Sequence, residues 1–139
     1  MREIKFRFWD NENGQYFEPI YRAYNGELEE LLLNPNGRIQ FRDYGGLYDE
    51  SNFPTRFVKE QYTGLKDKNG GEIFEGDILK NVLNPLVDKE PYSIEYDEFT
   101  GGYIWVDMDG AIDPFYETIA TNSEIIGNIH ENPEWTGGN

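Results

Sequence analysis

Asn-Gly stands at four places in this chain, Asn13-Gly14, Asn25-Gly26, Asn36-Gly37 and Asn69-Gly70, and Asp109-Gly110 and Gly101-Gly102 add two more turn pairs. Asn-Gly between extended runs is the strongest short hairpin signal, because a type I′ turn needs positive φ at both central residues. The flanking runs alternate as strands do. Ile4, Phe6 and Phe8 alternate with Lys5 and Arg7, and residues 16–21 can return beside them after the first turn. Residues 31–33 and 38–42 flank Asn34-Pro35-Asn36-Gly37, a second hairpin in which Ile39 and Phe41 alternate with Arg38, Gln40 and Arg42. Residues 93–98 and 103–108 flank Phe99-Thr100-Gly101-Gly102, a third. Leu28, Leu31 and Leu32 sit at helical spacing, but a run so short between Asn-Gly and Asn-Pro favours a strand or a single turn. Residues 114–121 read as a short helix or a strand. Residues 44–54, with Gly45-Gly46 and a polar tail, read as a loop or linker.

Composition narrows what these hairpins can serve. The 139 residues carry 22 aromatic side chains, too many for a disordered acidic chain, because such rings must be buried or bound. With no Cys there is no disulfide framework, thiolate zinc site, iron–sulfur cluster or Cys nucleophile. The longest aliphatic run is Leu31-Leu32-Leu33, too short for a bilayer, and no apolar signal region follows residues 1–5. The expectation is a soluble cytoplasmic protein.

The formal charge is −15, which argues against direct binding of nucleic acid or of an anionic membrane. It is unevenly spread. Residues 1–60 hold 8 basic and 11 acidic side chains, and residues 61–139 hold 4 and 16. Lys89 is the last basic side chain, so the 11 carboxylates from Glu90 onward have no cation in their own stretch. One reading is a solvated, self-repelling face. The other is a surface for a basic partner, with Glu95, Asp97, Asp107 and Asp109 forming part of an acidic row across the third hairpin.

Sequence patterns that carry chemistry are weak here. Asp107-Met108-Asp109-Gly110 starts like a calcium loop, but Ala111 stands where an oxygen ligand is needed, Ile112 where Gly is needed and Thr118 where Glu is needed. Asp67-Lys68-Asn69-Gly70 fails in the same way, and both read as turns. Gly71 and Gly76 have the spacing of a phosphate loop, but Asp77-Ile78 replaces Lys and Ser/Thr, and Glu72, Glu75 and Asp77 would repel phosphate. His130 is the only histidine, and none of Ser51, Ser93 and Ser123 lies in a Gly-x-Ser-x-Gly elbow. No His pair or Glu-x-x-His spacing marks a metal site, and no cofactor is implied. The aromatic clusters, Phe6, Phe8, Trp9, Tyr16, Phe17, Tyr21 and Tyr24 in the first half and Tyr92, Tyr96, Phe99, Tyr103 and Trp105 in the third hairpin, read as core or subunit contacts.

Three blocks of sequence stand out together. They are residues 1–10 (MREIKFRFWD), residues 61–79 (QYTGLKDKNGGEIFEGDIL) and residues 124–134 (EIIGNIHENPE). In order and spacing they resemble the YopX family, small proteins encoded by phages and prophages of bacteria. Phe8 stands where that family usually has Ala, and His130 where it usually has Tyr. The resemblance implies no activity and no catalytic residue. Its motif residues, Gly64, Asp67, Gly70, Gly76, Asp77, Gly127, Asn128, Asn132 and Pro133, read as positions that hold a fold. Residues 72–79 read as a strand broken at Gly76-Asp77. Residues 124–129 read as a strand with a close-packing Gly127, and Asn132-Pro133 as an N-cap with its first-turn proline.

The expected fold is mainly β to α+β: β-hairpins over residues 1–60, followed over residues 61–139 by a small, strongly bent sheet or SH3-like barrel with little helix, the two forming one compact unit. The expected function is that of a phage or prophage accessory protein, more a non-enzyme than an enzyme, working in the bacterial cytoplasm through protein contacts as a homo-oligomer. Two alternatives stay open. One is an acidic inhibitor or nucleic-acid mimic directed at a basic host protein. The other is a carboxylate enzyme assisted by a divalent metal.

Overall fold

The computed structural model describes residues 3–22, 25–81 and 91–136. Tyr24 and Lys89 lie outside them. The described residues are mostly strand (52%), with little helix, in antiparallel sheets of which one curls into a half-barrel. Two compact units divide it: Phe8–Lys59, and Met1–Arg7 together with Glu60–Asn139.

In the unit Phe8–Lys59, β1 (Phe6–Asp10) turns at Asn13-Gly14 into β2 (Gln15–Tyr16), pairing Trp9 with Tyr16 and Asp10 with Gln15. The return strand is shorter than expected. The chain leaves it after Tyr16 and builds a separate sheet from β3 (Ile20–Arg22), β4 (Glu27–Leu33), β5 (Ile39–Asp43) and β6 (Gly46–Asp49), in that order. Residues 27–33 are therefore a strand. The stretch expected to be a loop holds β6 and a short 3-10 helix, Glu50–Asn52. Gly45-Gly46 makes the tight return there, with the Asp43 carboxylate accepting from the Gly45 and Gly46 amides at 2.8 and 3.2 Å.

Period two sorts this sheet's side chains. Ile39 and Phe41 point to a core with the rings of Phe17, Phe53 and Phe57. The Arg56 guanidinium lies 4.8 Å from the Phe57 ring centroid and makes two bonds of 3.0 and 3.1 Å to Asp10, which is 1% exposed. A fully buried carboxylate needs such a partner, because an isolated charge out of water is far costlier than a paired one.

The second unit uses β7 (Phe57–Lys66), β8 (Glu72–Phe74), β9 (Asp77–Asn81), β10 (Tyr92–Asp97), β11 (Gly102–Val106), β12 (Ile112–Pro114), α1 (Glu117–Thr121) and β13 (Ser123–Asn128). Residues 72–79 form two strands, not one bent strand. β8 pairs with β7, while β9 crosses into a five-stranded sheet ordered β12-β11-β10-β9-β13. The break is Gly76, at φ +86°, where an L side chain would be strained. Beneath the sheet lie Ile73, Leu79, Tyr92, Ile94, Phe115 and Ala120, with Trp105 tilted against Tyr92 at 4.9 Å. Residues 114–121 resolve into the end of β12 and the single turn α1, whose Ala120 is fully buried.

The Asn-Gly turns differ from expectation in type. Positive φ among the described residues is confined to glycines, so each Asn stays at negative φ and the turns are not type I′. Gly37 N–H donates to the Asn34 carbonyl (2.9 Å) and Gly70 N–H to the Asp67 carbonyl (3.0 Å), with the glycine alone left-handed. This is a type I turn followed by a glycine bulge. The cause is the residue opening the turn. The Asn34 side-chain oxygen accepts from the Asn36 and Arg38 amides, and the Asp67 carboxylate from the Asn69 and Gly71 amides, which hold the intervening backbone right-handed.

Candidate functional site

The strongest constellation of ionisable groups lies in the second unit and joins four distant pieces of chain. Arg7, at the start of β1, donates from Nε to Glu60 Oε1 on β7 and from a terminal nitrogen to Asp77 Oδ1 on β9, each at 2.8 Å. His130 Nε2 lies 2.8 Å from the other Glu60 oxygen, and the Phe74 amide donates to the other Asp77 oxygen at 2.8 Å. The Glu60 and Asp77 side chains are each 3% exposed, and Arg7 and His130 are 21% and 13% exposed. The Arg7 guanidinium also covers the Phe74 ring at 4.8 Å. All four carboxylate oxygens are thus occupied. Burial pushes the Asp77 carboxyl up, the Arg7 charge opposes that shift, and nearby Glu60 adds to it.

Of the motif glycines, Gly76 packs against this cluster: it is buried, and a Cβ there would stand 2.3 Å from Glu60 Oε2. Its carbonyl accepts from the Ile129 amide at 2.9 Å, tying the second block to the third. Asp67, 7% exposed, makes the same tie on its other oxygen, which accepts from the Ile125 amide at 3.0 Å. Gly64 and Gly70 adopt φ of +87° and +82° with nothing near their Cβ positions, so backbone shape alone explains them. Gly127 follows a register shift in β13, and a Cβ there would stand 2.2 Å from the Asn132 side-chain oxygen. That oxygen accepts from the Asn128 amide, and Asn128 in turn accepts from the amides of His130 and Glu131 at 2.9 Å. Asn132 makes no side-chain cap of the 3-10 helix Pro133–Trp135; Pro133 occupies its first turn as expected. Glu60, the residue on which the cluster turns, carried no signal in the sequence, since its partners lie 53 and 70 residues away.

The acidic residues of the third hairpin have different roles from one another. Register pairs Glu95 with Ile104 and Asp97 with Gly102, while Asp107 lies beyond the paired residues. Glu95 is exposed. Asp97 accepts from the Phe99 amide and the Thr100 hydroxyl, closing the turn. Asp107 is 5% exposed and accepts from the Asp109 and Ala111 amides at 2.9 and 3.0 Å, so it holds a turn and faces away from solvent. Asp109 is exposed. Among the described residues no three of His, Asp and Glu converge where they could hold a metal ion, and no helix is long and apolar enough to cross a membrane.

Solved structures of other proteins share this fold. A protein from Enterococcus faecalis, EF1440, has a crystal structure that matches 96% of this chain and 98% of its own at 28% identity and a TM-score of 0.55. The protein yopX from Bacillus subtilis matches 97% of this chain and 98% of its own at 19% identity and a TM-score of 0.57, a likeness of fold. No match is found among curated proteins. The family described as YopX protein matches residues 5–135, a span holding the cluster and all the motif glycines. The chain belongs to the YopX family.

Proposed function

We propose that this chain is a non-enzymatic accessory protein, encoded by a phage or prophage, that works in the bacterial cytoplasm through protein contacts and as a homo-oligomer. One observation carries the reading: how buried and exposed side chains are divided. The Arg7–Glu60–Asp77–His130 cluster occupies its own oxygens, while large apolar side chains stand in water. Phe99 is 100% exposed, Tyr44 64%, Tyr21 63% and Leu47 54%. Large exposed apolar surfaces on a folded protein mark contact sites. Light scattering across concentrations tests it. A mass above 16.2 kDa that rises with concentration supports self-association, and 16.2 kDa throughout overturns it.

A second reading, an acidic surface for a basic host protein, is favoured by the third hairpin and its neighbours. Glu95, Asp97, Asp113 and Glu117 make no ion pair among the described residues. It predicts binding that weakens with salt and with charge reversal at Glu95 or Asp109. Binding indifferent to both would remove it.

A further inference from the structure

We propose that the outer face of the β3–β6 sheet is the surface through which two copies of this chain associate. The proposal rests on the reading above that the protein self-associates, and it names the surface.

Cross-strand partners share a face, so the register assigns every side chain of this sheet. Tyr21 pairs with Leu28, Glu30 with Arg42 and Arg42 with Leu47, and Leu32 with Gln40 and Gln40 with Asp49. These residues lie on one face. Leu31, Leu33, Ile39, Phe41 and Tyr48 lie on the other and carry the unit's core. On the outer face Tyr21, Leu32 and Leu47 are 63%, 39% and 54% exposed. A groove of about 480 Å³ runs along it between Leu28, Arg42, Tyr44 and Leu47. A sheet that buries one face and leaves leucines and a tyrosine in water on the other has room for a second layer.

Charge selects the occupant. Two copies of a chain with net charge −15 repel each other wherever acidic surface meets acidic surface. This face is neutral. Arg42 pairs with Glu30, which also accepts from the Tyr21 hydroxyl at 3.1 Å, and Arg38 pairs with Asp49. A two-fold contact buries the same patch on both copies, and a patch with cation beside anion can complement itself. The carboxylates Glu95, Asp97 and Asp113, without an ion pair among the described residues, offer a second copy no such match. A basic partner, for its part, finds no net charge on the β3–β6 face.

Size sets the strength. Strands about 4.8 Å apart, rising about 3.3 Å per residue, give these four strands of three to seven residues a face of about 19 by 16 Å. Two such faces bury roughly 600 Å², well under the roughly 1,200–2,000 Å² of stable interfaces, so the association is a weak one.

The test is sedimentation equilibrium of the full chain from about 5 µM to about 1 mM, a range that brackets such an affinity. Leu47→Glu and Arg42→Glu alter exposed side chains, and circular dichroism reports whether each stays folded. At least a tenfold rise in dissociation constant for both, with a wild-type spectrum, is the expected result. Association by the wild-type chain should also tighten as salt screens the −15 charges. Unchanged association in both folded variants overturns the assigned face while leaving self-association standing. So does association lost in Phe99→Ser and kept in Leu47→Glu, which would move the contact to the β10–β11 hairpin. A wild-type chain that stays monomeric throughout overturns both readings.

Discussion

Gly76→Ala should cost far more than an ordinary glycine substitution, and the structure says by how much. At φ +86° an alanine pays backbone strain of about 1–2 kcal/mol. Its Cβ would also stand 2.3 Å from Glu60 Oε2 and 2.9 Å from the carboxyl carbon. Glu60 has nowhere easy to go, because Arg7 and His130 hold its two oxygens at 2.8 Å and its side chain is 3% exposed. Moving the carboxylate aside sacrifices at least one hydrogen bond to a charged group, worth about 1.5–3 kcal/mol. The sum is about 3–5 kcal/mol, a large part of the roughly 5–15 kcal/mol that holds a domain folded. Gly70→Ala is the matched control, since φ there is +82° and no atom lies within 4 Å of its Cβ position. It should cost only the strain. Urea denaturation followed by tryptophan fluorescence in a Trp9→Phe background leaves Trp105 and Trp135 to report on the second unit. With a slope of about 2 kcal/mol/M, Gly76→Ala should lower the midpoint by about 1.5–2.5 M and Gly70→Ala by under about 1 M. Equal midpoints for the two variants would show that Glu60 yields freely and that Arg7 and His130 do not fix its carboxylate.

Other outcomes follow from the same geometry. Arg7→Ala leaves Glu60 and Asp77 buried without their cation and should cost about 3–5 kcal/mol in the same urea assay. Acidification should act on the two units with opposite sign. Burial alone would raise Asp10, but the Arg56 hydrogen bonds and the Glu12 amide outweigh it, and Arg38 with the Ser51 amide lowers Asp49. Their stabilisation of the unit Phe8–Lys59 is present above the ordinary carboxylate range and is lost as pH falls below it. Asp77 is raised, so its contribution is most favourable below that range and declines as pH rises through its folded value. Trp9 fluorescence against Trp105 and Trp135 fluorescence in pH-stepped melts separates the two trends, and Asp77→Asn should abolish its share. Asp107→Ala, losing bonds to two amides, should cost about 1–2 kcal/mol, whereas Glu95→Ala on the exposed face should stay within about 0.5 kcal/mol by thermal melting.

The hairpins could be read from the chain because their causes are local. Glycine after Asn34-Pro35-Asn36, and alternation at Ile39 and Phe41, need nothing distant to act. The turn type could not be read from Asn-Gly alone, since Asn34 and Asp67 upstream decide the backbone of the two residues between. β6 was hidden because Leu47 and Tyr48 sit between two glycines and an acidic run, and only pairing with Arg42 and Phe41 makes them a strand. The cluster was half visible. The blocks containing Arg7, Asp77 and His130 stood out, but pairing Arg7 with Asp77 or Glu60 with His130 crosses 70 residues, a distance over which periodicity is silent.

The second unit joins Met1–Arg7 to Glu60–Asn139, and its ion cluster runs from Arg7 to His130. At roughly 5–20 residues per second of synthesis, His130 emerges about 6–25 s after Arg7. Every residue of the unit Phe8–Lys59 is made by the time Glu60 appears, while Arg7 still waits for partners not yet translated. The cluster is therefore completed by its most distant member in sequence, His130. A chain interrupted anywhere between Asp77 and His130 would hold Glu60 with one oxygen unanswered, so the cluster stays open until His130 is made.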